Sequence, residues 1–182
     1  MYALIENGQV AQYPYTLDQL RGDNPQTIFA AQMTNEMFSE WSVFPVLPTS
    51  QPEYDEITQN LIEDTPILID GNWNQVWEVR SATAQEIAER KQQIKDEITV
   101  EVQERLDAFA RTRGYDDIVS ACSYAVSQHP KYGVEGRYCV EAREDTWDVL
   151  FQIEDDVVAD IRPMPRSYAD IEADLPVLAW PV

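Results

Sequence analysis

The chain has 182 residues, enough for one domain of ordinary size or two small ones. Its 33 acidic and 13 basic side chains leave a formal charge of −20, which repels phosphate backbones and anionic lipid and argues against nucleic acid and membrane surfaces as partners. With 44% hydrophobic residues and five tryptophans it can bury a core, so the composition excludes a disordered polymer.

Met1 is followed by no basic region and no apolar run of signal-peptide length, and no stretch approaches the ~20 apolar residues that span a bilayer. The expectation is a protein made in a cytoplasm, without membrane insertion. Tyr2–Ile5 and Val10–Tyr13 flank Asn7-Gly8, whose tolerance of positive φ predicts a tight hairpin. Pro14 is expected to stop the second strand because it cannot donate to a ladder. Thr16 caps a single helical turn ending near Gly22, and Thr34 opens another short helix reaching Trp41. Val43–Leu47 is an apolar segment broken by Pro45 and Pro48, and the proline-punctuated stretch from Pro48 to Pro66 reads as an ordered loop. Ile67–Ile69 and Trp73–Val79 then pair across Asp70-Gly71-Asn72, with Trp73, Trp77 and Val79 on one face of their strand. Packing of the two tryptophans against the following helix is expected over the alternative, stacking on sugar rings. Residues 1–80 form a small N-terminal α+β module.

From Ala84 the hydrophobic period changes to that of a helix. Thr83 and Glu86 form a capping box that fixes the helix start. Ile87, Ile94, Ile98, Val102, Leu106 and Phe109 follow at steps of seven, four, four, four and three, on a helix ending near Gly114. The flanks are charged almost throughout, too sparse a seam for the centre of a large core. It suits either an antiparallel pairing within the chain or a self-associating bundle, and these six residues together with Trp180 of the C-terminal tail are the interface candidates. Asp116 is expected to cap a helix from Ile118 to Ser127 that His129-Pro130 closes, and a third helix is expected from about Val140 to Ile161. That third helix carries Trp147, Leu150, Phe151, Val157, Val158 and Ile161 along one side and stops at Pro163 and Pro165. Residues 81–182 are thus a helical bundle with an extended apolar C-terminal tail, whose Trp180 either docks on its own domain or inserts into a neighbour.

No constellation of acid, base and nucleophile is visible, which points away from an enzyme. His129 stands before a proline at a helix end, where it caps carbonyls. Asp155-Asp156 and Glu141 with Asp145 lie on a regular helix instead of the tight loop a calcium ion requires, so they read as a solvated face. The six glycines build no phosphate-cradling loop. No cofactor or metal is expected. Cys122 and Cys139 fit no metal spacing; they read as buried free thiols, with a disulfide as the alternative.

Several of these segments resemble tail-fibre and baseplate-associated proteins of tailed bacteriophages. The resembling pieces are Tyr13-Pro14-Tyr15, Gly71-x-Trp73-x-x-x-Trp77-x-Val79 with Thr83-x-x-Glu86, Arg111 to Ala121, and Leu175 to Pro181. The resemblance implies a non-enzymatic virion role, a short tail fibre or a fibre–baseplate adaptor, oligomeric as a dimer or trimer. It also implies partners among other tail and baseplate proteins, with attachment to a host-surface receptor as a further expectation. A tail-fibre assembly chaperone that leaves the virion is the first alternative, and an acidic nucleic-acid mimic the second.

Overall fold

The computed structural model describes residues 1–181, which divide into two compact units, one from Met1 to Ile87 and one from Ala88 onward. The fold is α+β, an N-terminal sheet with short helices followed by C-terminal helices. The change of unit falls inside the first turns of the long helix, a few residues beyond the expected boundary at 80/81.

The N-terminal unit is a five-stranded sheet of β1 (Tyr2–Glu6), β2 (Gln9–Tyr15), β3 (Val43–Leu47), β4 (Gln59–Ile69) and β5 (Asn72–Ser81), in the order β2-β1-β3-β5-β4. Both hairpins form where positive φ was anticipated: Asn7 and Gly8 at +53° and +78°, Asp70 and Gly71 at +47° and +81°. The strands are antiparallel except β3 with β5. Two short helices, α1 (Leu17–Asp23) and α2 (Asn35–Ser39), supply Leu20 and Phe38 to a buried cluster with Tyr15 and Val43. Thr16 caps α1 through a complete capping box with Gln19. A second cluster joins Ala3, Ile5 and Val46, and Trp73 packs against it. Trp73 thus finds packing partners within its own sheet. The Tyr13 hydroxyl of edge strand β2 donates to Glu63 of edge strand β4, so the sheet curls until its two edges are linked.

Three prolines sit inside strands, contrary to expectation. Pro14 does not end β2, which continues to Tyr15; it occupies an edge strand beside a register shift, where a missing N–H is tolerated. Pro45 does not break the chain but sits inside β3, opposite Tyr2 of β1, and the β5 ladder begins only at Val46. Only one flank of Pro45 therefore takes part in a ladder. Pro66 lies within β4, so the expected loop gives way to strand from Gln59 onward.

The second unit is built on α3 (Ala84–Arg111) and α5 (Pro130–Val158), which run antiparallel. Their alignment is marked by Lys95 with Glu154 at one end and Arg113 with Glu135 at the other. The capping box at Thr83 is present, with Glu86 N donating to Thr83 Oγ1 at 3.2 Å and Thr83 N to the Glu86 carboxylate at 2.7 Å. Gly114, at φ +85°, follows the end of α3 in the left-handed region. The short helix α4 (Ile118–Cys122) is capped by Asp117, not Asp116, through a 2.6 Å bond from Ser120 N, and gives way to a 3-10 turn at Ser123–Val126. Pro130 does not close that helix. It opens α5, because proline needs no N–H at a helix's first position. The third helix thus starts about three turns earlier than expected and stops at Val158, before Ile161.

Candidate functional site: an open section of the helix pair

Two clusters fill the helix pair. Val102 with Ile153, Ile171 and Leu175 makes one; Leu106 and Ala110 with Tyr115, Ile118, Ala121 and Cys139 make the other. The tail after α5 returns along the pair and seals it. Ile171 and Leu175 enter the first cluster, Arg105 donates to the Pro176 carbonyl, and Ala179 N donates to Tyr138 Oη at 2.8 Å. Each fully buried branched aliphatic side chain here contributes about 1.5–3 kcal/mol.

This arrangement sorts the seam residues. Val102 and Leu106 have no exposed surface and belong to the chain's own core, so they are not open to a partner. Phe109 is half-buried beneath Trp180, whose ring lies 4.3 Å away and nearly parallel. Trp180 itself docks on its own unit, with Nε1 donating to Thr112 Oγ1 at 2.8 Å and the Arg113 guanidinium 5.4 Å from its ring centre. Ile87 falls in the N-terminal unit and is half-buried. Ile94 and Ile98 alone remain beside an opening.

That opening is an apolar groove of about 530 Å³ between the first turns of α3 within this unit and the last turns of α5. Ile94 and Ile98 form one wall; Leu150, Phe151, Val157 and Val158 form the other. Phe151 is 60% exposed and Val158 81%, high values for large apolar side chains standing together. The Lys95 ammonium meets the Glu154 carboxylate at 2.6 Å beside the groove, both half-exposed, so this pair adds little stability. Trp147 lines the same groove, and its buried Nε1 has no acceptor. The spacing of Trp147, Leu150, Phe151, Val157 and Val158 was legible as one helical side. What could not be read was that this side would be left open at its end while the seam facing it was closed farther along.

The other singled-out residues do different work. His129 is the N-cap residue of α5 and its ring packs against Tyr132, so it does not cap carbonyls at a helix C-terminus. Cys122 and Cys139 are free thiols, Cys139 fully buried and Cys122 partly so. Burial, reinforced by Cys122 and Glu135, pushes the Cys139 thiol up to about 12, which keeps it protonated and unreactive. Burial raises the Cys122 thiol as well. Glu135 is a charged residue buried in the helix pair, 3% exposed, held by Arg113 Nη1 and Tyr115 Oη at 2.8 Å each. Burial and then the bond to Glu135 raise the Tyr115 phenol.

Sequence inspection also passed over the tip of the second hairpin, where Ile67, Leu68 and Ile69 are each about half exposed. Among the described residues no group of three or more His, Cys, Asp or Glu side chains could hold a metal ion, and no helix is long and apolar enough to cross a membrane. No protein-family model matches the chain. No curated protein and no solved structure matches it either.

Proposed function

We propose that the chain is a non-enzymatic component of a bacteriophage tail, a short tail fibre or a fibre–baseplate adaptor, that works by docking partners on its helix pair. The observation that supports an assembly role is the open groove, where Phe151 and Val158 stand exposed beside Ile94 and Ile98. Exposed apolar side chains gathered in a groove cost solubility unless a partner uses them. The phage-tail part of the proposal rests on the resembling segments, from Tyr13-Pro14-Tyr15 to the closing Leu175–Pro181. Its partners in this reading are other tail and baseplate proteins, with self-association as a dimer or trimer.

A fibre-assembly chaperone is the second reading, and one observation favours it. With Val102 and Leu106 sealed and Phe109 covered by the chain's own tail, only a short section of seam is open, and small interfaces suit transient contacts. Mass spectrometry of purified particles separates the two. Stoichiometric presence supports the virion component; absence from particles with co-purification on free fibres supports the chaperone; absence from both overturns the proposal.

A further inference from the structure

We infer that the segment returning from α5, residues 163–181, is exchanged between two copies of the chain; this rests on the assembly role proposed above and deepens it. The turn that ends α5 is built for opening. Asp160 N donates to the Val157 carbonyl at 3.2 Å and Ile161 N to the Asp156 carbonyl at 2.8 Å, the bond pair that closes a helix through one left-handed residue. Asp160 is that residue, at φ +56°, where glycine is usual because it has no Cβ to strain. Asp155, Asp156 and Asp160 add negative charge to the negative end of the helix dipole, and the last turn holds no basic side chain to offset it. Ile161 stands where an apolar side chain ordinarily packs back on the last turn, yet it is 73% exposed.

Beyond this turn the segment is a detachable unit. Its backbone bonds are local, such as Ile171 N to the Tyr168 carbonyl and Leu175 N to the Glu172 carbonyl. Its bonds to the helix pair run through side chains: Arg105 to the Pro176 carbonyl, Ala179 N to Tyr138 Oη, Trp180 Nε1 to Thr112 Oγ1. The seat that takes Ile171, Leu175 and Trp180 is therefore a docking site with its ligand in place, and a second copy carries the same ligand and the same seat. Straightening at Asp160 moves the segment onto the other copy, repeats those contacts there and releases the left-handed aspartate. Where the two straightened hinges pass, Val158 and Ile161 of each copy cover one another beside the groove. Charge does not hold the pair together, since each copy brings −20, so screening by salt favours it.

Two substitutions bias the hinge of the full chain in opposite directions. Asp160→Gly suits the closed turn, whereas Asp160→Pro forbids it because proline fixes φ at about −65°. By light scattering, Asp160→Pro is expected to be a dimer with the helical circular dichroism of the parent. The parent is expected to dimerise with concentration and more readily in high salt, and Asp160→Gly about tenfold more weakly than the parent. In dimers mixed from isotope-labelled and unlabelled chains, nuclear Overhauser contacts between the Trp180 and Phe109 rings are expected to cross from one chain to the other. A dimer in which those contacts stay within one chain overturns the inference, as does a folded, monomeric Asp160→Pro chain. Should the proline variant fail to fold, the parent decides. A parent that stays monomeric at the concentrations used for resonance, or an Asp160→Gly chain that dimerises as tightly, overturns exchange. None of these results removes the assembly role if particles contain the protein stoichiometrically, whereas absence from both particles and fibres removes that role whatever the hinge does.

Discussion

Trp180 stacks on Phe109 with ring centroids 4.3 Å apart and planes 15° from parallel, across 71 positions of sequence. The contact fastens the tail to α3, and the indole's 2.8 Å bond to Thr112 and the Arg113 guanidinium complete the seat. Truncating the indole removes a large apolar area and a hydrogen bond together. Trp180→Ala is expected to lower stability by about 2–3 kcal/mol, below the ~3–5 of a fully buried aromatic because the ring is half-buried. Val177→Ala, at a site 89% exposed on the same tail, is expected to change nothing. Urea denaturation of both variants checks this; equal midpoints would mean that the tail does not brace the helix pair.

Glu135 is the buried charge of that pair. Removing it leaves the Arg113 guanidinium and the Tyr115 hydroxyl without their shared acceptor. Glu135→Ala is expected to cost about 2–3 kcal/mol, moderated because Arg113 is partly exposed and can rehydrate. Glu135→Gln keeps one acceptor oxygen and is expected to cost about half as much. Thermal unfolding of the two variants ranks them, and a glutamine variant as damaged as the alanine one would contradict the hydrogen-bond account.

Gly136 is required by close packing. A Cβ there would lie 2.4 Å from Ala125 N and 2.5 Å from the Tyr124 carbonyl carbon, both backbone atoms of the 3-10 turn. Gly136→Ala is therefore expected to destabilise by at least ~1–3 kcal/mol through overpacking, despite alanine's better helix propensity. Gly22, inside α1, has open space where a Cβ would stand, and Gly22→Ala is expected to stabilise by up to ~1 kcal/mol. Opposite signs in the two denaturation curves are the result to look for.

Alkaline stability reports on Cys139. Its folded thiol titrates at about 12, against an ordinary thiol value of 9.0. Above the ordinary value the unfolded chain gives up this proton while the folded chain keeps it, so unfolding becomes easier as pH rises from there toward 12. The stabilisation is whole below the ordinary thiol range and is lost as pH climbs through that window. Cys139→Ala is expected to have a shallower decline of melting temperature between pH 9 and 11 than the parent chain, with alkylation of Cys139 in the folded parent slow throughout.

Local chemistry was read well where one or two residues decide the outcome. The Asn7-Gly8 and Asp70-Gly71 turns, the Thr16 and Thr83 caps and the stop at Gly114 depend on neighbours a few positions away. Proline was misread each time its effect depended on a distant strand or on the next element: Pro14 on an edge, Pro45 beside a ladder that begins one residue later, Pro130 at a helix start. The candidate site was half legible. Ile94, Ile98, Phe151 and Val158 stand out by helical spacing, yet the same spacing named Val102 and Leu106, which the chain keeps for itself.

By itself the sequence determined an acidic α+β chain, its two hairpins and one long capped helix with a seven- and four-step seam, because charge, positive-φ turns and periodicity are local properties. Only the tertiary structure decided what that seam does. The returning tail covers Phe109 with Trp180 and brings Ile171 and Leu175 onto Val102, while no segment among the described residues fills the space beside Ile94 and Phe151. Burial is a relation between residues far apart in sequence, and helical spacing specifies which side of a helix is apolar without specifying what covers it.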